Sequence, residues 1–307
     1  MSELNLLPVN GIGPEDVLVD DNGDVFTGVD DGRILRLAGR DVHTIADTSG
    51  RPLGIEHAGD GRLIVCDAER GLLRVDPTRG VIETLLERTA NGIGVCNNAA
   101  VGADGCVYFS DSSQRFPLRD WMADLWEHSG TGRLLCLAPS GEVDVLADGL
   151  QFANGVALSA DESFVAVAET GAYRITRVWR SGDKAGQRDV LIDNLPGIPD
   201  NIASGPGGLI WVALAAPRDA RLDLVHRLPP PVVKALWAIP ERLRPRPRRT
   251  AWVIAIDDNG TIVHDLQRPD GYHMVTGVRV HDGRLYLGSL TERAVAVLDL
   301  PTPKLSP

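Results

Sequence analysis

Apolar and polar positions along this chain recur in one unit. A short strand alternates the two classes, a tight turn follows, and a second strand runs almost wholly apolar. The unit reads VLVDDNGDVFTGV at 17–29, GIEHAGDGRLIVCD at 54–67, AAVGADGCVYFSD at 99–111, VALSADESFVAVAE at 156–169, IASGPGGLIWVAL at 202–214 and VRVHDGRLYLGSL at 278–290. Alternation marks a strand buried on one face, and a continuous apolar run marks one buried on both. Asp-Gly and its equivalents between the two runs suit a tight hairpin. A third strand follows most units, at 32–39, 71–77, 132–141, 174–182, 251–260 and 294–300. Six units of three to four strands predict an all-β, six-bladed β-propeller whose blades close on a central channel and leave few free edges. The segment NLLPV at 5–9 is placed to add the outer strand of the last blade and so tie the chain ends together.

No linker composition interrupts the repeat, so residues 1–307 read as one domain. Two insertions stand out, at 113–131 and at 216–249. The second carries a short amphipathic helix around Val232 to Arg242, then a basic run. The second is a lid over one mouth of the channel or a solvated loop, and both insertions are expected at that mouth. Trp121, Trp126, Trp237, Val232 and Val233 in these insertions favour an apolar or aromatic small-molecule ligand over a free sugar.

Composition narrows the picture. The chain has 33 Gly and 20 Pro, as a turn-rich globular protein requires. Its 42 acidic against 31 basic residues give a net charge of −11, which argues against a nucleic-acid partner. The opening MSELNLLPVNG has no signal-peptide pattern, and no apolar run approaches the roughly 20 residues of a membrane span. The expectation is a cytoplasmic protein with no integral membrane segment. Cys66, Cys96, Cys106 and Cys136 lie in or beside apolar segments with no CxxC pair, which predicts buried thiols.

Candidate chemistry comes from a shared register. Glu15, Asn97, Asn154 and Asp200 each stand eight residues ahead of the turn glycine or its stand-in, at 23, 105, 162 and 208. Equivalent positions on the innermost strands converge on a propeller axis. The same count in the other two blades reaches Leu53 and Val275, which donate nothing. Two carboxylates and two amides, without thiolate or imidazole, form an oxygen set for a hard cation, Ca²⁺ before another divalent ion. Asp and Asn also cap strands and turns, but four in one register favour a central metal site.

The stretches GLQFANGVALSADESFVAVAET (149–170), LPGIPDNIASGPGGLIWVAL (195–214) and HDGRLYLGSL (281–290) resemble the superfamily of strictosidine synthase-like proteins, senescence-marker-type gluconolactonases and paraoxonases. The resemblance is greatest to the strictosidine synthase-like branch. It implies a divalent ion held by Glu15, Asn97, Asn154 and Asp200, with Asn201 matching the Asp-Asn pair of the paraoxonases. Asn98 stands where gluconolactonase-like members carry Asp. Asn201, Asn98 and, from its place before the last inner strand, His273 are further candidates for contact with the ion or substrate. Other positions depart from the pattern. The strictosidine synthase glutamate would fall near Thr276, and the paraoxonase histidine pair would fall near Leu53 and Cys66.

The resulting expectation is a Ca²⁺-dependent hydrolase of a lactone or ester, with catalytic Asp200 or a metal-bound water supplying the nucleophile by general-base assistance. The alternatives are a non-hydrolytic synthase or isomerase on the same scaffold, and a binding module with a structural metal. Asp67, Asp111 and Glu169 are read as turn or network residues.

Overall fold

The computed structural model describes residues 4–237, 239 and 248–300. These form six four-stranded antiparallel sheets. The innermost strands are Leu18–Val19, Pro52–His57, Cys96–Val101, Ala153–Leu158, Gly197–Ser204 and Val275–His281, which head blades 1 to 6. Each blade then runs outward in chain order except the last. Its outer strand is Asn5–Pro8, paired antiparallel with Ala294–Asp299 in the register Asn5 with Val297 to Pro8 with Ala294. The outermost strands alternate weakly and stay largely exposed, as in Asp41–Asp47, so they are less visible in the apolar pattern.

The core is a set of wedges between neighbouring blades. The second strands LIVCD (63–67), VYFSD (107–111) and FVAVAE (164–169) are buried at every position because another blade packs on each face. Successive side chains of one strand therefore enter different wedges. Ile210, Val212 and Leu214 join Phe164, Ala166 and Ala168 of blade 4, whereas Trp211 and Ala213 join Val275, Leu285 and Leu287 of blade 6. Phe109, fully buried between blades 2 and 3, shows the scale: truncation to Ala would cost about 3–5 kcal/mol.

Both insertions emerge where a second strand ends, at the end of the channel where the inner strands begin. The first contains helix α1 (Trp121–Glu127), and the second contains α2 (Ala220–Val225) and α3 (Pro230–Trp237). Helices α1 and α3 pack together, so the insertions form one cap. A histidine pair fastens it. The rings of His128 and His226 lie 3.5 Å apart, His226 Nε2 meets the Leu125 carbonyl at 2.9 Å, and His128 Nε2 meets that of Gly171 at 2.7 Å. Burial lowers the proton affinity of both, that of His226 to about 4. The expected helix around Val232 to Arg242 is present as Pro230–Trp237, and its positions 238 and 240–242 lie outside the described residues. Among the described residues no helix is long and apolar enough to cross a membrane. The four thiols are free, with Cys66 and Cys96 buried and Cys106 and Cys136 partly so.

Candidate functional site at one end of the axis

Each inner strand from blade 2 to blade 6 opens with a break in its ladder. Pairing skips between Pro52 and Ile55, Cys96 and Ala99, Ala153 and Val156, Pro199 and Ile202, and Val275 and Val278. Such a bulge frees two consecutive residues from the alternation of the strand. The pairs are Leu53-Gly54, Asn97-Asn98, Asn154-Gly155, Asp200-Asn201 and Thr276-Gly277, and Glu15-Asp16 precedes the first inner strand. The blade 6 position is thus Thr276 rather than Val275. The hairpin after it is one residue shorter, with His281 pairing Arg284, so a count back from its glycine slips by one.

The second members of these pairs alternate: Asp16, Gly54, Asn98, Gly155, Asn201, Gly277. The glycines leave room for the neighbours. A Cβ on Gly54 would lie 2.6 Å from Asn98 Cα, one on Gly155 2.5 Å from Asn201 Cα, and one on Gly277 2.7 Å from Asp16 Cα. Three polar side chains from blades 1, 3 and 5 thereby reach the axis.

Asp16 escaped the sequence reading, which counted only the first member of each pair. Its carboxylate accepts from Val17 N (2.8 Å), Ile55 N (3.1 Å) and Asn98 Nδ2 (3.1 Å), while Asn98 Oδ1 accepts from Val156 N (2.8 Å). Asn98 therefore has both amide atoms engaged in joining blades 1, 3 and 4. Asn201 Nδ2 donates to Glu15 at 3.1 and 3.3 Å, closing blade 5 onto blade 1. Asn97 Nδ2 donates to Ser112 Oγ (2.9 Å) and Asn154 Nδ2 to Thr170 Oγ1 (3.1 Å).

What remains unpaired is informative. Asn97 Oδ1, Asn154 Oδ1 and Asn201 Oδ1 are buried without a hydrogen-bond partner. A buried acceptor left so costs about 1–3 kcal/mol unless a bound water or ligand satisfies it. Glu15 stands beside them, 3 % exposed, and Asp200 is half-buried. Burial, then the neighbouring charges of Asp200 and Asp16, push the Glu15 carboxyl well above its ordinary range, against the pull of Arg51 and Asn201. Burial raises Asp200 to about 7 despite the Asn154 side chain and the Asn201 N–H, and raises Asp16 to about 6 despite Arg279. The set is two crowded carboxylates and three orphaned amide oxygens, all hard donors suited to a divalent cation. Among the described residues no group of three or more His, Cys, Asp and Glu is placed to hold a metal.

His273 is outside this group. Its ring Nδ1 faces Glu292, with Arg249 at 3.2 Å. Asp67, Asp111 and Glu169 bind loop N–H groups where the second strands end, and Asp111 and Glu169 also pair with Arg133 and Arg174. In the cap, Val233 is buried, Val232 exposed, and Trp121 half-buried, while the Trp237 side chain lies outside the described residues. A cavity of 340 Å³ lies under the first insertion, lined by Ala68, Glu69, Arg88, Pro117, Leu118 and Arg119. A larger one of 750 Å³ opens at the opposite end of the axis, where Glu56 and Arg279 pair at 2.9 Å.

Comparison with known proteins follows the same lines. A strictosidine synthase family model matches residues 97–183, and a strictosidine synthase-like N-terminal model matches residues 1–37. Adipocyte plasma membrane-associated protein of Danio rerio is 37% identical over 317 residues, covering 94% of this chain and 76% of that protein. Protein STRICTOSIDINE SYNTHASE-LIKE 10 of Arabidopsis thaliana is 34% identical over 322 residues, covering 94% of this chain and 85% of that protein. Among solved structures, a gluconolactonase of Xanthomonas campestris superposes with a TM-score of 0.70 at 19% identity, covering 98% of this chain and 90% of the other. Regucalcin of Agrobacterium tumefaciens, a calcium-binding protein, gives 0.66 at 15% identity, covering 97% and 94%. These two likenesses are of fold. The identities of the first two, over nearly the whole length, go further: the chain belongs to the strictosidine synthase-like family of six-bladed propellers, alongside the adipocyte plasma membrane-associated proteins.

Proposed function

We propose that this protein is a divalent-cation-dependent hydrolase of a lactone or ester, with Ca²⁺ the preferred ion. The observation that supports it most is the trio of buried amide oxygens, on Asn97, Asn154 and Asn201, left without partners beside Glu15 and Asp200. Glu15, Asn97, Asn154 and Asp200 would hold the ion, with Asn201 Oδ1 as a fifth donor. Bound there, Ca²⁺ would supply polarisation of the substrate carbonyl and stabilisation of the charge that develops on its oxygen.

The chain's own residues do the rest. Asp200 is the more exposed carboxylate of the pair, which makes it the one open to an attacking water whose proton it would take. Asn201 Nδ2 holds Glu15 in place, and the packed helices α1 and α3 stand at this end of the channel. Leu53 and Ala68, packed with Val95 and Leu118, give an apolar wall in the blade that carries no donor. The gluconolactonase and regucalcin likenesses agree with lactone chemistry and with calcium. A synthase reading is less favoured, because Thr276 stands near the expected glutamate and its hydroxyl donates to the Glu15 carbonyl at 2.6 Å.

The experiment is metal analysis of the purified protein with a screen of small esters and lactones in Ca²⁺ and in chelator. One ion per chain, turnover lost in chelator and restored by Ca²⁺, and a lower melting temperature without the ion are expected. Stabilisation is about 2.7 kcal/mol when free ion is a hundred times its dissociation constant. Bound ion without turnover on any substrate would favour a binding module, and no bound ion would overturn the reading altogether.

A further inference from the structure

An amide differs from a carboxylate as a cation ligand because it has two faces. One presents a carbonyl oxygen and the other an NH₂ group that repels a cation. Something must select the face at Asn97 and Asn154. The repeat identifies it. The residues just before the opening bulges pair with Asp67, Asp111, Glu169, Leu214 and Ser289 in blades 2 to 6. The next residue along each second strand is Ala68, Ser112, Thr170, Ala215 and Leu290 respectively. At this equivalent place a hydroxyl thus occurs in the two blades that carry Asn97 and Asn154, and not in those that carry Leu53, Asp200 or Thr276.

The bonds give this pattern a direction. Ser112 Oγ and Thr170 Oγ1 each receive the Nδ2 of their asparagine, and all four side chains are buried. Thr170 commits its only proton to the Pro199 carbonyl at 2.8 Å, so its oxygen can only accept. The Asn154 amide must then face it with nitrogen, which leaves Oδ1 turned away and unpaired. Pro199 directly precedes Asp200, so the same hydroxyl joins the blade 4 amide to the backbone that carries the blade 5 carboxylate.

We propose that Ser112 and Thr170 are positioning residues for the cation site: each binds the amide nitrogen of its asparagine and so presents the carbonyl oxygen for coordination. The proposal rests on the cation reading above. The test is calorimetric titration of the metal-free full-length protein with Ca²⁺, with its melting temperature in chelator measured separately. Thr170→Val and Ser112→Ala should each weaken Ca²⁺ binding by roughly 10–100-fold, whereas Thr170→Ser should bind like the parent. A purely structural role would lower the melting temperature in chelator and leave affinity unchanged. Unchanged affinity in both Thr170→Val and Ser112→Ala would overturn the proposal while leaving the cation site standing. Should Thr170→Val fail to fold, Ser112→Ala decides alone. A parent that binds no Ca²⁺ would instead overturn the cation reading, and this proposal with it.

Discussion

The two ends of the axial channel are made by the same six inner strands yet do opposite things with polar groups. At the capped end the strands open in bulges, and three amide oxygens are buried without partners. At the open end a cavity of 750 Å³ is lined largely by turn residues and small side chains such as Ala100, Ala157 and Ala203, and its charged pair is satisfied. Arg279 bonds Glu56 at 2.9 Å and the Val17 carbonyl at 3.3 Å, and its charge holds down the proton affinity of Asp16. The larger space is therefore not the better candidate site. Unsatisfied chemistry marks a site more clearly than volume does, because a ligand must bring something the protein lacks.

That contrast predicts a separation of effects. The largest is expected for Asp200→Asn, which removes a charge and the proposed base while nearly keeping shape. Turnover should fall by about 10²–10⁴-fold, with the fold intact by circular dichroism. Parent-like turnover would remove Asp200 from the mechanism.

At the other end, Arg279→Met leaves Glu56 and Asp16 without their cation. Removing one partner of this half-buried pair, and with it the charge facing buried Asp16, should cost about 1–3 kcal/mol, read here as a lower midpoint in denaturant. Calcium affinity should change less than tenfold. If Arg279→Met abolishes cation binding instead, the two ends act as one unit and the contrast fails.

The smallest effect sharpens the comparison through pH. Asp200 and Asp16 hold their protons to about 7 and about 6, well above the unfolded range. The stability they confer on the cation-free protein is present below about pH 4 and is lost as pH rises through these values. Histidines 128 and 226 work the other way: their folded proton affinity is lowered, so their contribution is lost as pH falls from about 6.5 toward 4. Calcium affinity isolates the two carboxylates proposed as ligands, Asp200 and Glu15, since binding displaces their protons. It should climb as pH rises from 5 toward 7, by up to about tenfold per unit for each proton released. A flat titration would mean that these groups are ionised before the ion arrives.

Much of this was legible in the repeat. The six inner strands, the closing strand near 5–9 and the alignment of Glu15, Asn97, Asn154 and Asp200 follow from pattern and turn spacing alone. Thr276 was missed because a hairpin shorter by one residue shifts a count made from its glycine. Asp16 was missed because a bulge frees two residues where an unbroken strand would bring only alternate ones to that face. Ser112 and Thr170 give no signal singly, as hydroxyls are common at strand ends. They become visible only when five blades are aligned by their ladders. The His128–His226 stack joins two insertions that share no repeat, so no internal comparison could reveal it.

The closing strand also sets the order in which this molecule can be finished. Asn5–Pro8 pairs with Ala294–Asp299, so the last sheet is assembled from the two ends of the chain. Asn201 and Glu15, which meet across the ring, are 186 residues apart in sequence. During synthesis the early blades can stack locally as they emerge, but the final blade must wait for the last strand. The proposed cation site would inherit this delay, because its donors come from both sides of the closure. In refolding, calcium uptake should therefore trail the gain of sheet signal, making the ion a reporter of the moment at which the ring becomes a circle.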